Sequence, residues 1–303
     1  LGQELLEYPL LLLELRDHEL VGPDALEASL GIGQWMHAQA VVQAIDELWQ
    51  RSGRNAEREA LLGEIRDATA SGKRVNGDLE AFDLWMFAEG ALASIAMARM
   101  DLDGAESVCR AIIGRLEDSK HPRKDTKLAV FYHQLGRVAQ ERREFDAAEK
   151  WYRKSLEISE RTGDEHGAAL SYHQLGIVAQ ERRDFDAAEK WYRKSLEIKE
   201  RTGDEHGAAT SYHQLGMVAE ERRDFDAAEK WYRKSLEIKE RTGDEHGAAT
   251  SYHQLGMVAE ERRDFDAAEK WYRKSLEIFE RNDPHNAEIA RASLGRLHEL
   301  RKA

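Results

Sequence analysis

The residues best placed to do chemistry are histidines. His166 and His173, His206 and His213, and His246 and His253 form pairs seven residues apart, and Asp-Glu precedes the first member of each pair. On a helix that spacing puts both rings on one face. Metal chemistry needs three or four ligands converging at once. The pairs are therefore read as a helix-start histidine followed by a half-exposed one, with no metal and no cofactor expected. Nucleophile and phosphate motifs are absent from the sequence as well. Gly72-Lys73 has Asp67 where a phosphate-binding loop needs glycine and Arg74 where it needs Ser or Thr. His-Glu-x-x-His and Gly-x-Ser-x-Gly do not occur. Cys109 lies in an apolar helical stripe as an inert core thiol. The carboxylates stand at capping positions or in Glu-to-Arg pairs such as Glu229–Arg233, which belong on a solvated helix face. These residues are not expected to form an enzyme.

The element that must position these side chains is an internal repeat. Residues 199–238 and 239–278 are the same 40 letters twice, 159–198 differs from them at four places, and a fourth copy starts near Lys127. A unit of this size cannot bury its apolar face alone, so the copies must stack into a solenoid that presents surfaces rather than pockets. The 303 residues are 41% hydrophobic and 34% charged, which suits long exposed helices. Four prolines occur and none lies between Lys127 and Phe279, which favours long helices joined by short turns. The net charge of −13 argues against a nucleic-acid backbone or an anionic membrane as the main partner. A single cysteine excludes an intramolecular disulfide and fits a reducing, cytoplasmic setting. Pro9–Leu13 is too short to span a bilayer. The chain begins at Leu1 rather than Met, which reads as a fragment with room for a preceding domain.

In the third copy, Gly203 follows the helical run Phe185–Arg201 where a left-handed cap belongs. Asp204 is the expected N-cap of a helix from Glu205 to Arg222, whose stripe is Ala208, Tyr212, Leu215, Val218 and Ala219. A tight turn at Arg223–Phe225 leads to Asp226, and Asp226 with Glu229 reads as a capping box opening a second helix. That helix turns Ala228, Tyr232, Ser235 and Leu236 inward. Gly216 and Ala228 leave room for close helix approach, which Tyr212, Phe225 and Tyr232 fill.

Tyr212-x-x-Leu215-Gly216, Phe225, Ala228 and Tyr232 resemble the signature of the tetratricopeptide repeat. The 40-residue period and the Gly-Asp-Glu-His before the first helix resemble the longer repeats of kinesin light chains and of bacterial multidomain signalling proteins. The family's helix-ending proline is replaced by Glu240, so the second helix should run on. The resemblance implies an all-α, right-handed superhelical solenoid of antiparallel helix pairs. Residues 127–284 hold four near-identical units. Leu92-Ala93, Leu102-Asp103, Ala105-Glu106 and Ile112 align with the first copy at an offset of 43, which makes 86–118 a divergent repeat within a segment 86–126. Residues 1–85 read as irregular helical hairpins. Trp35, Ala38, Val42, Ile45 and Trp49 lie on one face, Leu61, Leu62 and Ile65 on another, and turns fall near Gly22-Pro23, Ser52-Gly53 and Ser71-Gly72. Residues 285–303 read as a capping helix. There Ser293-Leu294-Gly295 repeats a first helix one residue short, Arg291 replaces the buried tyrosine, and Glu299, Arg301 and Lys302 coat the far side. Phe279, in place of lysine, is expected to cover Leu294 and Leu297.

In this family the first helices line a concave groove. The resemblance carries that face onto four rows: Val130, Leu170, Thr210, Thr250; His133, His173, His213, His253; Arg137, Ile177, Met217, Met257; and Gln140, Gln180, Glu220, Glu260. Three of these rows vary, whereas the second helices, also taken as exposed, hold constant apart from Ser159, Lys199, Lys239 and Phe279. The basic triplets such as Lys190-Arg193-Lys194 read as a solvated convex face. The Lys and Asn residues that clamp a C-terminal carboxylate in chaperone-binding members have no counterparts, which disfavours that ligand. The expectation is a protein-interaction module, the sensor or adaptor part of a larger protein, that takes an extended or helical protein segment rather than nucleic acid or membrane. A self-assembling scaffold, with the chain associating with itself, is one alternative. A non-catalytic regulatory region of an enzyme whose catalytic domain lies upstream is the other.

Overall fold

The computed structural model describes residues 42, 43, 46, 49–70 and 79–302, and all regular structure among them is α-helical. Trp35, Ala38, Ile45 and the turns at Gly22-Pro23 and Ser71-Gly72 lie outside the described residues. The chain divides into two compact units, 1–142 and 143–303.

In the first unit α1 (Asn55–Ala70), α2 (Leu79–Ala98), α3 (Leu102–Asp118) and α4 (Lys124–Glu141) pack each on the next. The turn at Ser52-Gly53 places Gly53 at φ +73°. Leu61, Leu62 and Ile65 bury against Ala81, Leu84 and Ala88 of α2, joined by Val42 and flanked by Trp49. By length and composition α2 could cross a membrane, yet it is the core helix of its unit, with Leu84 and Ala88 fully buried. The α2–α3 pair spans the segment read above as a divergent repeat, with α2 starting at Leu79. Met100 and Arg143, at the turns that follow α2 and α4, both adopt φ of 60°. Asp101 caps α3 by accepting the Gly104 N–H at 2.9 Å. Burial pushes the Cys109 thiol up to about 11, which leaves it protonated and unreactive.

The second unit runs through α5 (Phe145–Thr162), α6 (Glu165–Glu181), α7 (Phe185–Thr202), α8 (Glu205–Glu221), α9 (Phe225–Thr242), α10 (Glu245–Glu261), α11 (Phe265–Asn282) and α12 (Pro284–Lys302). Gly163, Gly203 and Gly243 end the second helices in the left-handed conformation at φ between 72° and 74°. The first helices open on Asp164, Asp204 and Asp244, as the sequence implies. The second helices open two residues earlier than expected. Asp224 is the cap and accepts the Ala227 N–H at 3.1 Å, while Asp226 sits inside the first turn. Asp184 and Asp264 do the same, whereas Glu144 makes no side-chain cap. Glutamate is one methylene too long to fold back on its own helix start.

Asp226 and Glu229 serve the stacking of units. Arg262, at the end of the next first helix, bonds both, with Glu229 at 2.7 Å. Arg182 with Asp146 and Glu149, and Arg222 with Asp186 and Glu189, repeat this fork. Arg301 closes the series on Asp266 and Glu269. It is therefore an inter-unit clamp and not a coat on the far side. Arg291 substitutes for tyrosine in kind. Tyr252 donates to Glu240 one unit earlier, and Arg291 bonds Glu280 at 2.7 Å. Phe279 is buried but elsewhere than expected. It packs on Ala249 and Ala287 and meets the His246 ring edge-on at 5.6 Å, while Leu294 and Leu297 join the Tyr272 cluster. The short register of α12 brings its start, not its middle, under that ring.

The Ser159, Lys199, Lys239, Phe279 row is a packing row, contrary to its reading as exposed. Lys199 is 6% exposed and its ammonium bonds Ser211 Oγ at 3.2 Å. Burial lowers its pKa, with Asp204 acting in the opposite sense. Phe279 shows that an apolar side chain fits the same place. Lys199→Met is expected to raise stability by about 1 kcal/mol, because a buried charge gives way to an apolar chain of similar length. A higher urea midpoint at constant slope would bear this out; a lower midpoint would refute it.

Candidate functional site

Each first helix of the second unit presents one face to a buried tyrosine of its partner. In the second copy the stripe is His173, Gly176 and Gln180, and Tyr192 lies against all three. The His173 ring is tilted on it at 5.5 Å, and the tyrosine hydroxyl donates to Gln180 Oε1 at 2.9 Å. His213 with Tyr232 and His253 with Tyr272 repeat the ring contact at 5.3 and 5.2 Å. Glu220 and Glu260 each accept from the tyrosine at 2.8 Å. Two of the four rows are thus half-buried and tied to packing. Burial pushes His173 and His213 down to about 4, with Lys199 and Lys239 acting in the same direction. His133, in the first unit, is likewise held near 4 by burial and Arg137. Among the described residues no three His, Cys, Asp or Glu side chains come together as a metal site.

The other two rows are mixed, with Ile177, Met217 and Met257 half-buried against the core clusters. Val130 and Leu170 are exposed at 52% and 40%. Thr210 and Thr250 donate to the His206 and His246 carbonyls of their own helices. Arg137 is exposed and reaches Gln134 at 3.2 Å. Ile177 and Met217 flank a cleft of about 460 Å³ whose walls include Gln180, Tyr192, Gln214 and Glu221. Arg183 and Phe185 complete its rim. Arg183, Arg223 and Arg263 hold φ near 60°, a conformation that costs a non-glycine residue roughly 1–2 kcal/mol. The side chain offsets part of that cost: the Arg223 guanidinium lies 5.6 Å over Phe225 and reaches Glu261 at 3.2 Å. Ile177 and Met217 are therefore brought together with Gln180, while Leu170 and Thr210 lie two turns further back.

The second helices carry an aromatic ladder that the sequence reading missed. Trp191 stacks on Tyr172 at 5.7 Å, with Arg153 at 5.2 Å and Lys194 at 5.3 Å from its ring. Trp231 and Trp271 repeat this with Arg193 and Arg233. The basic triplets are cations held on aromatic faces rather than a merely solvated surface, so their constancy has a packing cause. The signal was present as Lys-Trp-Tyr-Arg-Lys in every copy.

The tetratricopeptide repeat model matches residues 127–201 and 203–281, together just over half of the chain. Among solved structures, BtubC (BKLC) from P. vanneervenii is 22% identical with a TM-score of 0.67, covering 76% of this chain and 92% of that one. The apo form of RapI is 18% identical with a TM-score of 0.59, covering 65% and 71%. A kinesin-light-chain-like protein of Podosopora anserina with nearly identical TPR-like repeats is 17% identical with a TM-score of 0.55, covering 66% and 97%. No curated protein matches the sequence. At these identities the likeness is one of fold.

Proposed function

The chain belongs to the tetratricopeptide repeat family, and from that premise we propose a non-catalytic protein-interaction module whose first-helix face takes an extended or helical protein segment. One observation carries the reading. The cleft floored by Ile177 and Met217 stands at positions where otherwise identical copies differ, whereas the residues beneath it do not change. Thioether and branched side chains give an adaptable apolar floor, and glutamates and arginines rim it, the usual anatomy of a peptide groove. Residues 143–303 supply the repeated rungs; a sensor or adaptor role in a larger protein fits a surface of this kind.

The test removes apolar contact without adding charge. Met217→Gln with Met257→Gln is expected to weaken a partner recovered by affinity capture about tenfold, as for loss of central apolar anchors. Glu197→Lys with Glu237→Lys, on the exposed second-helix surface, should leave its affinity unchanged. If the second pair abolishes binding and the first does not, the interaction lies on the second helices.

A further inference from the structure

Two nearly identical places in the second unit differ in one respect. Glu260 accepts the Tyr272 hydroxyl at 2.8 Å and also receives Arg296 in a two-pronged contact at 2.8 and 3.0 Å. Glu220, one repeat earlier, accepts the Tyr232 hydroxyl at the same 2.8 Å. No cation pairs with Glu220 among the described residues. The reason lies in the short register of α12, where Arg301 takes the role of Arg262 at a spacing of 39. By that spacing Arg296 stands where Met257 stands in the preceding copy. On α12 an arginine fills the position; on α10 a methionine leaves the Glu220 carboxylate without a counter-charge.

The surroundings fit a guanidinium. By the identity of the copies, Met217 and Met257 flank Glu220 as Ile177 and Met217 flank Gln180 in the cleft. A guanidinium is weakly hydrated and flat, so its faces lie comfortably on thioethers while its edge meets a carboxylate. Gln254, the counterpart of the cleft residue Gln214, has a buried Oε1 with no hydrogen-bond partner. Burial holds the Glu220 carboxyl above the ordinary range, reinforced by Glu221 and Glu261 and opposed by the Tyr232 bond. Glu260 is shifted the opposite way, chiefly by Arg296. Two glutamates in one frame thus differ by the presence of a cation.

We propose that Glu220, with Tyr232 behind it and Met217 and Met257 beside it, is a binding site for an arginine side chain of a partner segment, engaged as Arg296 engages Glu260. The site rests on the groove reading above and names its ligand chemistry: a basic, arginine-bearing segment rather than an acidic one. The net charge of −13 steers such a segment toward the chain.

The test uses the whole chain and a fluorescein-labelled peptide of repeated Leu-Ala-Ala-Arg units, with a twin in which citrulline replaces every arginine. The arginine peptide should bind about tenfold more tightly than its twin, and Glu220→Gln should remove that preference while leaving the twin unchanged. Met257→Arg copies the Arg296 arrangement in place. It should block the arginine peptide and raise the melting temperature by a few degrees, and the rise should vanish in the double variant with Glu220→Gln. An arginine peptide held no better than its twin, including no binding of either, overturns the proposal. If Met217→Gln with Met257→Gln still weakens both peptides, the groove stands and only the arginine site falls. If neither the methionine nor the Glu220 variants alter binding, both readings fall together.

Discussion

Gly216→Ala is expected to cost the protein roughly 3 kcal/mol, although alanine is the better helix residue by about 1 kcal/mol. A Cβ on Gly216 would stand 2.5 Å from Tyr232 Cε1 and 2.6 Å from Cδ1. Real carbon atoms do not approach so closely, and the ring has nowhere to go. Tyr232 is fully buried, its hydroxyl is bonded to Glu220, and the His213 ring lies over it. Gly176 and Gly256 meet Tyr192 and Tyr272 in the same way. Gly295 supplies the control. It occupies the corresponding place in α12, yet nothing lies within 4 Å of its Cβ position. Gly295→Ala should therefore stabilise by about 0.5–1 kcal/mol through helix propensity alone. Urea unfolding of the two variants, followed by helicity, decides the matter. A neutral Gly216→Ala would show that the helices separate easily and that the tyrosine does not set their spacing.

The same pair of glycines marks how far the sequence could be read. The period was legible from identity at a spacing of 40, and the inward stripes because each depends on neighbours three or four residues away. Gly203 and Asp204 were legible for that reason too. The second-helix cap was misplaced because Asp224-Phe-Asp226 offers two aspartates, and only the turn geometry chooses between them. Asp226 looked like a cap because its true partner, Arg262, lies 36 residues on. Lys199 was read as exposed because lysine seldom lies buried, yet its stem passes through a packing layer to Ser211. The fourth groove row was read as open for lack of any local sign that Tyr192 and Tyr232 reach it. In a strict repeat every copy offers the same letters at the same spacing, so pattern alone cannot tell contacts within a unit from contacts between units. The single-residue shortening at Ser293-Leu294-Gly295 was visible, but its consequence, an arginine opposite Glu260, needed the helix to be placed.

Acidification below about pH 6.5 should destabilise the second unit by way of its histidines, before most carboxylates titrate. His173 and His213 are held near 4 by burial, and their Nδ1 atoms are buried without hydrogen-bond partners. Protonation would place an N–H⁺ there with no acceptor, against Tyr192 or Tyr232 and near Lys199 or Lys239. In the unfolded chain the rings take up their protons near 6.5. Above that value both states are neutral and the full stability is present. Between 6.5 and 4 the unfolded state binds protons that the folded state refuses, so stability falls as pH falls; below 4 the loss is complete. For the pair this amounts to a loss on the order of 4 kcal/mol, after allowance for the partial solvent contact of both rings. His253 is lowered by burial and Arg296 and supported by Glu260, so it adds to the loss in the same direction. Glu220 works the other way, since its raised carboxyl favours the folded state as it protonates. His173→Gln with His213→Gln should start less stable at pH 7.5 and show a much flatter profile from 6.5 to 5. Lys199→Met, by removing the neighbouring ammonium, should move the His173 titration upward. Parallel profiles for the wild type and the double variant would mean that the histidines protonate freely in the folded protein, and that the rings do not lie sealed against the tyrosines.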